Sequence, residues 1–68
     1  MPTFKVNFEY ADGRGFSTNL CDAPDERSAI ERYAAKGRNV YEIHVAQDYE
    51  IREAEAKGMP RTVAGGKD

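Results

Sequence analysis

The chain is poor in the residues that chemistry at a site demands. It has one cysteine, Cys21, and one histidine, His44. A single cysteine cannot form an internal disulfide, and nothing else in the sequence points to an oxidising compartment. One cysteine and one histidine without paired ligand spacing do not make a metal site, so no metal and no cofactor is expected. There is no apolar run near the ~20 residues that a membrane span needs. The opening Met-Pro-Thr-Phe-Lys lacks the basic-then-apolar layout of a secretory leader, and a cytoplasmic protein is the expectation.

An excess of charge of either sign is also missing. Ten basic and twelve acidic residues leave a net charge of −2. Nucleic-acid binding by default would need a basic excess, and mimicry of DNA would need a dense carboxylate surface. The chain offers neither. What it does offer is a soluble globular balance, 40% hydrophobic and 32% charged, in 68 residues. A domain this small buries only about 60% of its unfolded surface, so its stability margin is narrow.

Period-two alternation opens the chain. Phe4, Val6, Phe8 and Tyr10 fall on one face and Thr3, Lys5, Asn7 and Glu9 on the other, the mark of a half-buried strand. Residues 16–21 alternate again, and the two runs predict a hairpin across "YADGRGF". A two-residue Asp12-Gly13 turn sets Phe8 opposite Ser17 and Val6 opposite Asn19, apolar against polar. With one buried face, register favours an odd-length loop instead. Ala11-Asp12-Gly13 as a three-residue loop faces Phe8 with Phe16, Val6 with Thr18 and Phe4 with Leu20. A five-residue loop centred on Gly13 keeps the same phase. Gly13-Arg14-Gly15 has no helix after it, so it is not a dinucleotide fingerprint. Arg14, at the loop tip, is unneeded by the hairpin and free to bind.

Residues 22–37 predict a helix, capped by Asp22 or Asp25, with Ala29, Ile30, Tyr33 and Ala34 as its apolar stripe and Gly37 as its stop. Residues 39–46 return to alternation, Tyr41, Ile43 and Val45 against Val40, Glu42 and His44. Residues 48–57, rich in helix formers, predict a weaker second helix, with a fourth strand over 49–53 as the competing reading. The stretch "RTVAGGKD" has no period. The expected fold is α+β: a three-stranded antiparallel ββαβ sheet in order 2-1-3, one helix packed on it and a weaker C-terminal helix. Residues 1–58 form the single domain and 59–68 a flexible tail.

That order separates Cys21 and His44 by two strand spacings, roughly 10 Å, too far for a nucleophile and its base. No enzyme is expected. The expected open sheet face carries Lys5, Asn7, Glu9, Ser17, Asn19, Glu42 and His44 and no aromatic, which argues against base stacking. Binding through shape remains, with Arg14, Lys5, Asn7, His44 and Arg38 as the candidate partner-binding residues. Two unpaired sheet edges, on the second and third strands, invite augmentation or a homodimer. In size and element order alone the chain resembles the small stand-alone inhibitors of phages and mobile elements, some anti-CRISPR proteins among them. That implies a non-catalytic modulator or inhibitor of a larger protein complex. The alternatives are a weak nucleic-acid-binding accessory and a structural homodimer.

Overall fold

The computed structural model describes residues 1–64. Its elements are β1 (Thr3–Tyr10), β2 (Phe16–Asp22), α1 (Glu26–Ala35), β3 (Arg38–Val45), α2 (Asp48–Ala56) and β4 (Arg61–Val63). The class is α+β, with a sheet and two helices, but the expected sheet needs correcting. It has four strands in the order β3-β1-β2-β4 and is mixed, not three antiparallel strands. β1 pairs antiparallel with both β2 and β3, while β4 runs parallel to β2. Arg61–Val63, placed by the sequence in a flexible tail, are therefore a strand, and residues 65–68 of that tail lie outside the described residues.

The hairpin register is the second correction. Phe8 stands opposite Ser17, Val6 opposite Asn19 and Phe4 opposite Cys21. The loop is of even length: the Tyr10 N–H donates to the Gly15 carbonyl at 2.9 Å, leaving Ala11–Arg14 as the turn. Gly13 sits within it at a φ of 85°, a conformation that only glycine adopts cheaply. The odd-length loop followed from assuming one buried face. The sheet has two.

On the first face Phe4, Val6, Phe8 and Cys21 meet Ala29 and Tyr33 of α1, with Ala23 and Ala64 completing the cluster. On the second, Leu20 packs with Ala46 and with Ala54 of α2, flanked by Ile51 and Met59. Successive strand residues point to opposite sides, so Leu20 and Cys21 serve different cores. With α2 covering the part of the second face around Leu20, that side chain is buried although it faces away from Phe4.

The helices begin where their caps allow. Asp25 caps α1, its carboxylate accepting the Ser28 N–H at 2.8 Å, and Asp22 stays in β2. At the other end the Gly37 N–H donates to the Ala34 carbonyl at 3.1 Å, with Gly37 at a φ of 75°. α2 is a helix, and its N-cap is Gln47. Glu50 reaches back to accept the Gln47 N–H at 2.9 Å. That satisfies a donor which the first helical turn cannot.

β3 departs from simple alternation. Its register against β1 shifts between Asn7 and Phe8, so that Asn7 pairs with Glu42 but Phe8 pairs with Val40. Tyr41 is the extra residue of a bulge. The expected split of Tyr41, Ile43 and Val45 against Val40 is thus corrected: Val40 and Ile43 both pack on the α1-side core, and Tyr41 is exposed.

Candidate functional site

The two register corrections meet at one place. Phe16 leaves the α1-side core and Tyr41 is turned out by the bulge, and both emerge on the half of the second face that α2 leaves uncovered. Phe16 is 68% exposed and Tyr41 61%, yet their rings meet edge-on, 5.7 Å apart at 87°. Edge-to-face is the arrangement that aromatic quadrupoles prefer. The expectation that this face carries no aromatic is therefore overturned, and Ser17 and Asn19 belong to the α1 side instead.

A polar ladder braces the platform. Asn7 donates its amide to Glu42 at 2.8 Å and accepts from the Thr18 hydroxyl at 2.6 Å, tying β3, β1 and β2 across the face. Glu9, paired with Phe16, is exposed beside the rings. The ground around the aromatic pair is thus acidic and fixed, not basic.

The other candidate residues are placed as follows. Lys5 and His44 converge on Glu50 of α2, His44 Nε2 at 2.9 Å and Lys5 Nζ at 3.9 Å from its carboxylate. The Gln47 N–H, then His44, holds the Glu50 carboxyl below its ordinary range. These two side chains fasten α2 to the sheet. Arg14 is paired with Asp12 at 2.8 Å and lies 4.1 Å above the Tyr10 ring. Arg38 lies over Phe8 and the same Tyr10, at 5.6 and 5.5 Å. The structure therefore brings Lys5 with His44, and Arg14 with Arg38, but at opposite ends of the molecule and on opposite faces. Asn7 stands apart from both pairs.

Cys21 and His44 do not approach each other as a dyad. Cys21 is fully buried beneath α1, while His44 is exposed on the α2 side. Burial pushes the Cys21 thiol up, away from the thiolate that a nucleophile needs. Among the described residues no three of His, Cys, Asp or Glu are grouped to hold a metal ion.

At the β4 edge, Arg61 forks onto Asp22, with Nε to one carboxylate oxygen and Nη2 to the other, both at 3.0 Å. It also reaches Glu55 of α2 at 3.2 Å, and the Thr3 hydroxyl donates to Asp22. One guanidinium thus joins β2, β4 and α2. The Arg61 hydrogen bonds hold the Asp22 carboxyl below its ordinary range, partly offset by burial and helped by Thr3. A lowered folded-state pKa means that the ionised form is the one the fold prefers. The stabilisation is complete above the unfolded carboxylate value of about 3.9 and is lost as pH falls through the lower folded value. Asp22→Asn should destabilise the domain at neutral pH and flatten the fall of its stability as pH drops below about 4. Urea melts across that range check it; parallel profiles for the two proteins would remove Asp22 from the account.

Sequence reasoning missed Phe16 and Tyr41 as surface residues. One signal for Phe16 was present: the Asp12-Gly13 dipeptide is a strong even-length turn, and its register turns Phe16 away from Phe8. Nothing comparable marks the bulge at Tyr41. No helix among the described residues is long and apolar enough to cross a membrane. Comparison of the chain with protein-family models, with curated proteins and with solved structures finds no match.

Proposed function

We propose that this is a non-catalytic protein-binding module, a small modulator or inhibitor of a larger protein complex, which docks through the Phe16–Tyr41 face. The observation that carries the reading is the exposed aromatic pair itself. Two large rings held edge-on over a braced sheet give contact area without much loss of side-chain freedom on binding. Aromatic residues are enriched at the centres of protein interfaces for that reason. The outer edge of β3 adjoins Tyr41, and it has no strand partner among the described residues. A partner strand laid there would bring main-chain hydrogen bonds to the same footprint.

A nucleic-acid accessory is the second reading, because bases stack on exposed sheet aromatics. Its electrostatics run the wrong way. Glu9 and Glu42 stand beside the rings, and a phosphate backbone would be repelled there.

The test is a double variant, Phe16→Ser with Tyr41→Ser. Both side chains are exposed, so the melt should move by no more than about 0.5 kcal/mol per site. Capture of a specific partner from lysate should nevertheless be lost. Equal capture by variant and parent would put the binding surface elsewhere. Saturable, salt-dependent binding of a labelled single-stranded oligonucleotide, abolished by the same substitutions, would replace the protein-binding reading with the nucleic-acid one.

A further inference from the structure

β3 pairs with β1 on one side, and among the described residues nothing lies along its other side. Edge strands are commonly blunted by proline or lysine, and β3 has neither. Its bulge at Tyr41 interrupts the strand, but residues 42–45 keep an unbroken register with residues 7–4 of β1. That ladder fixes which main-chain groups are open. The Ala46 N–H donates to the Thr3 carbonyl at 2.8 Å. Antiparallel alternation then turns the main-chain groups of Glu42 and His44 inward to β1, and those of Ile43 and Val45 outward.

We infer that this edge takes a second copy of the chain, its β3 antiparallel to the first about a two-fold axis through Ile43. Facing residues of neighbouring strands point to the same side of a sheet, so such an axis passes through a residue and never between two. Within the regular stretch the choice is Glu42, Ile43 or His44. An axis at Glu42 sets two carboxylates directly opposite each other, which is destabilising. An axis at His44 sets imidazole against imidazole and leaves Glu42 facing Ala46. At Ile43, each Glu42 faces the His44 of the other copy, a carboxylate against a basic side chain. The outward N–H and carbonyl of Ile43 then bond reciprocally with those of its counterpart. Charge selects Ile43.

The α1 side of this join is apolar. Ile43 meets its own counterpart, and Val45, 53% exposed in the single chain, lies next along the strand. α1 lies close to β3. Arg32 stands on the flank of α1 nearer β4, where it lines a cavity with Thr62. Two residues are about 200° apart round a helix, so the half-buried Ile30 stands on the flank nearer β3. Both Ile30 flanks therefore turn toward the join. On the other side of the sheet the two Phe16–Tyr41 pairs come to share one continuous face. An edge contact of this length belongs with the small interfaces, below about 1,200 Å², so the dimer is a reversible one. The inference does not rest on docking through the aromatic pair; it names the strand that occupies the β3 edge and leaves the aromatic face open.

The test is sedimentation equilibrium of the purified protein from about 1 μM to about 1 mM. The mass should rise from that of one chain toward that of two and go no higher. Val45→Lys, an exposed change that puts a charge on the edge, should weaken the dimer at least tenfold without altering the melt. Phe16→Ser should leave the dimer intact, which separates this contact from docking on the aromatic face. Register is read by cross-linking. Ile43→Cys should join to its counterpart under mild oxidation, because a facing hydrogen-bonded pair stands about 5.5 Å apart at Cα, within disulfide range. Glu42→Cys, displaced from the axis, should not, and the parent protein, whose Cys21 is buried, is the control. A single-chain mass at every concentration would overturn the inference. So would a dimer that survives Val45→Lys, one that Phe16→Ser abolishes, or cross-linking as efficient at Glu42→Cys as at Ile43→Cys.

Discussion

Replacing Phe8 with alanine is expected to remove most of the stability of the domain. Phe8 is 1% exposed on the central strand. Its ring meets Tyr10 edge-on at 5.2 Å and Tyr33 of α1 at 5.2 Å in a tilted contact, and Arg38 lies over it. Truncating a buried Phe typically costs about 3–5 kcal/mol in lost transfer energy and residual cavity. At roughly 0.05–0.15 kcal/mol per residue, a domain of this size has only about 3–10 kcal/mol in total, so the loss is a large share of it. The variant should be largely unfolded, or melt tens of degrees lower, by circular dichroism. A Tm unchanged within error would show that the α1-side core does not hold the fold together.

Leu20→Ala is expected to cost about 2–5 kcal/mol, and to cost it in a different place. Among the described residues Leu20, 1% exposed, is the one large side chain fully buried on the α2 side, where its buried companions are Ala46 and Ala54. Its removal leaves α2 held by Ile51, Met59 and the polar contacts of Glu50 and Glu55. Hydrogen exchange should therefore accelerate through residues 48–56 well before it does in β1 or α1, because a weakly docked element opens locally first. Uniform acceleration would mean that the two cores open together. Unchanged exchange in α2 would mean that Leu20 does not dock it.

The contrast between these two substitutions shows what the sequence could express. The α1-side core was legible because its residues repeat with strict periods, two in β1 and the helical period in α1, and each period points to a single face. The α2-side core has no such pattern. It is assembled from one leucine in a strand, one alanine after a strand, two residues of a thin helix and Met59. Taken singly, none signals a second buried face. Without that face the register argument chose the wrong loop length, and Phe16 was assigned to the interior. β4 was illegible for another reason. Three residues are too few for a period, and what places them is tertiary: Arg61 on Asp22 and Glu55, and Thr62 on Tyr33. The candidate site suffered from both gaps, since its two aromatics surface only through the true register and a bulge. Arg14 and Arg38 were legible as cations near one end, but the cavity beside Arg38 needs Thr62 of β4 to close it.

β4 also limits how many copies of this chain a sheet could accumulate. It covers residues 20–22 of β2, and its own outward edge is only three residues long. Its Arg61 side chain is tethered to Asp22 and Glu55. β3, by contrast, runs eight residues with nothing beside it on its outer edge among the described residues. A sheet with two long open edges can add strands without end, as fibres do. This one has a single long edge. Were two copies to pair through β3, the contact would be self-complementary about a two-fold axis and would consume the long edge of each. Growth would stop at two, with a short and charged flank left at either end, the arrangement by which sheets resist further stacking.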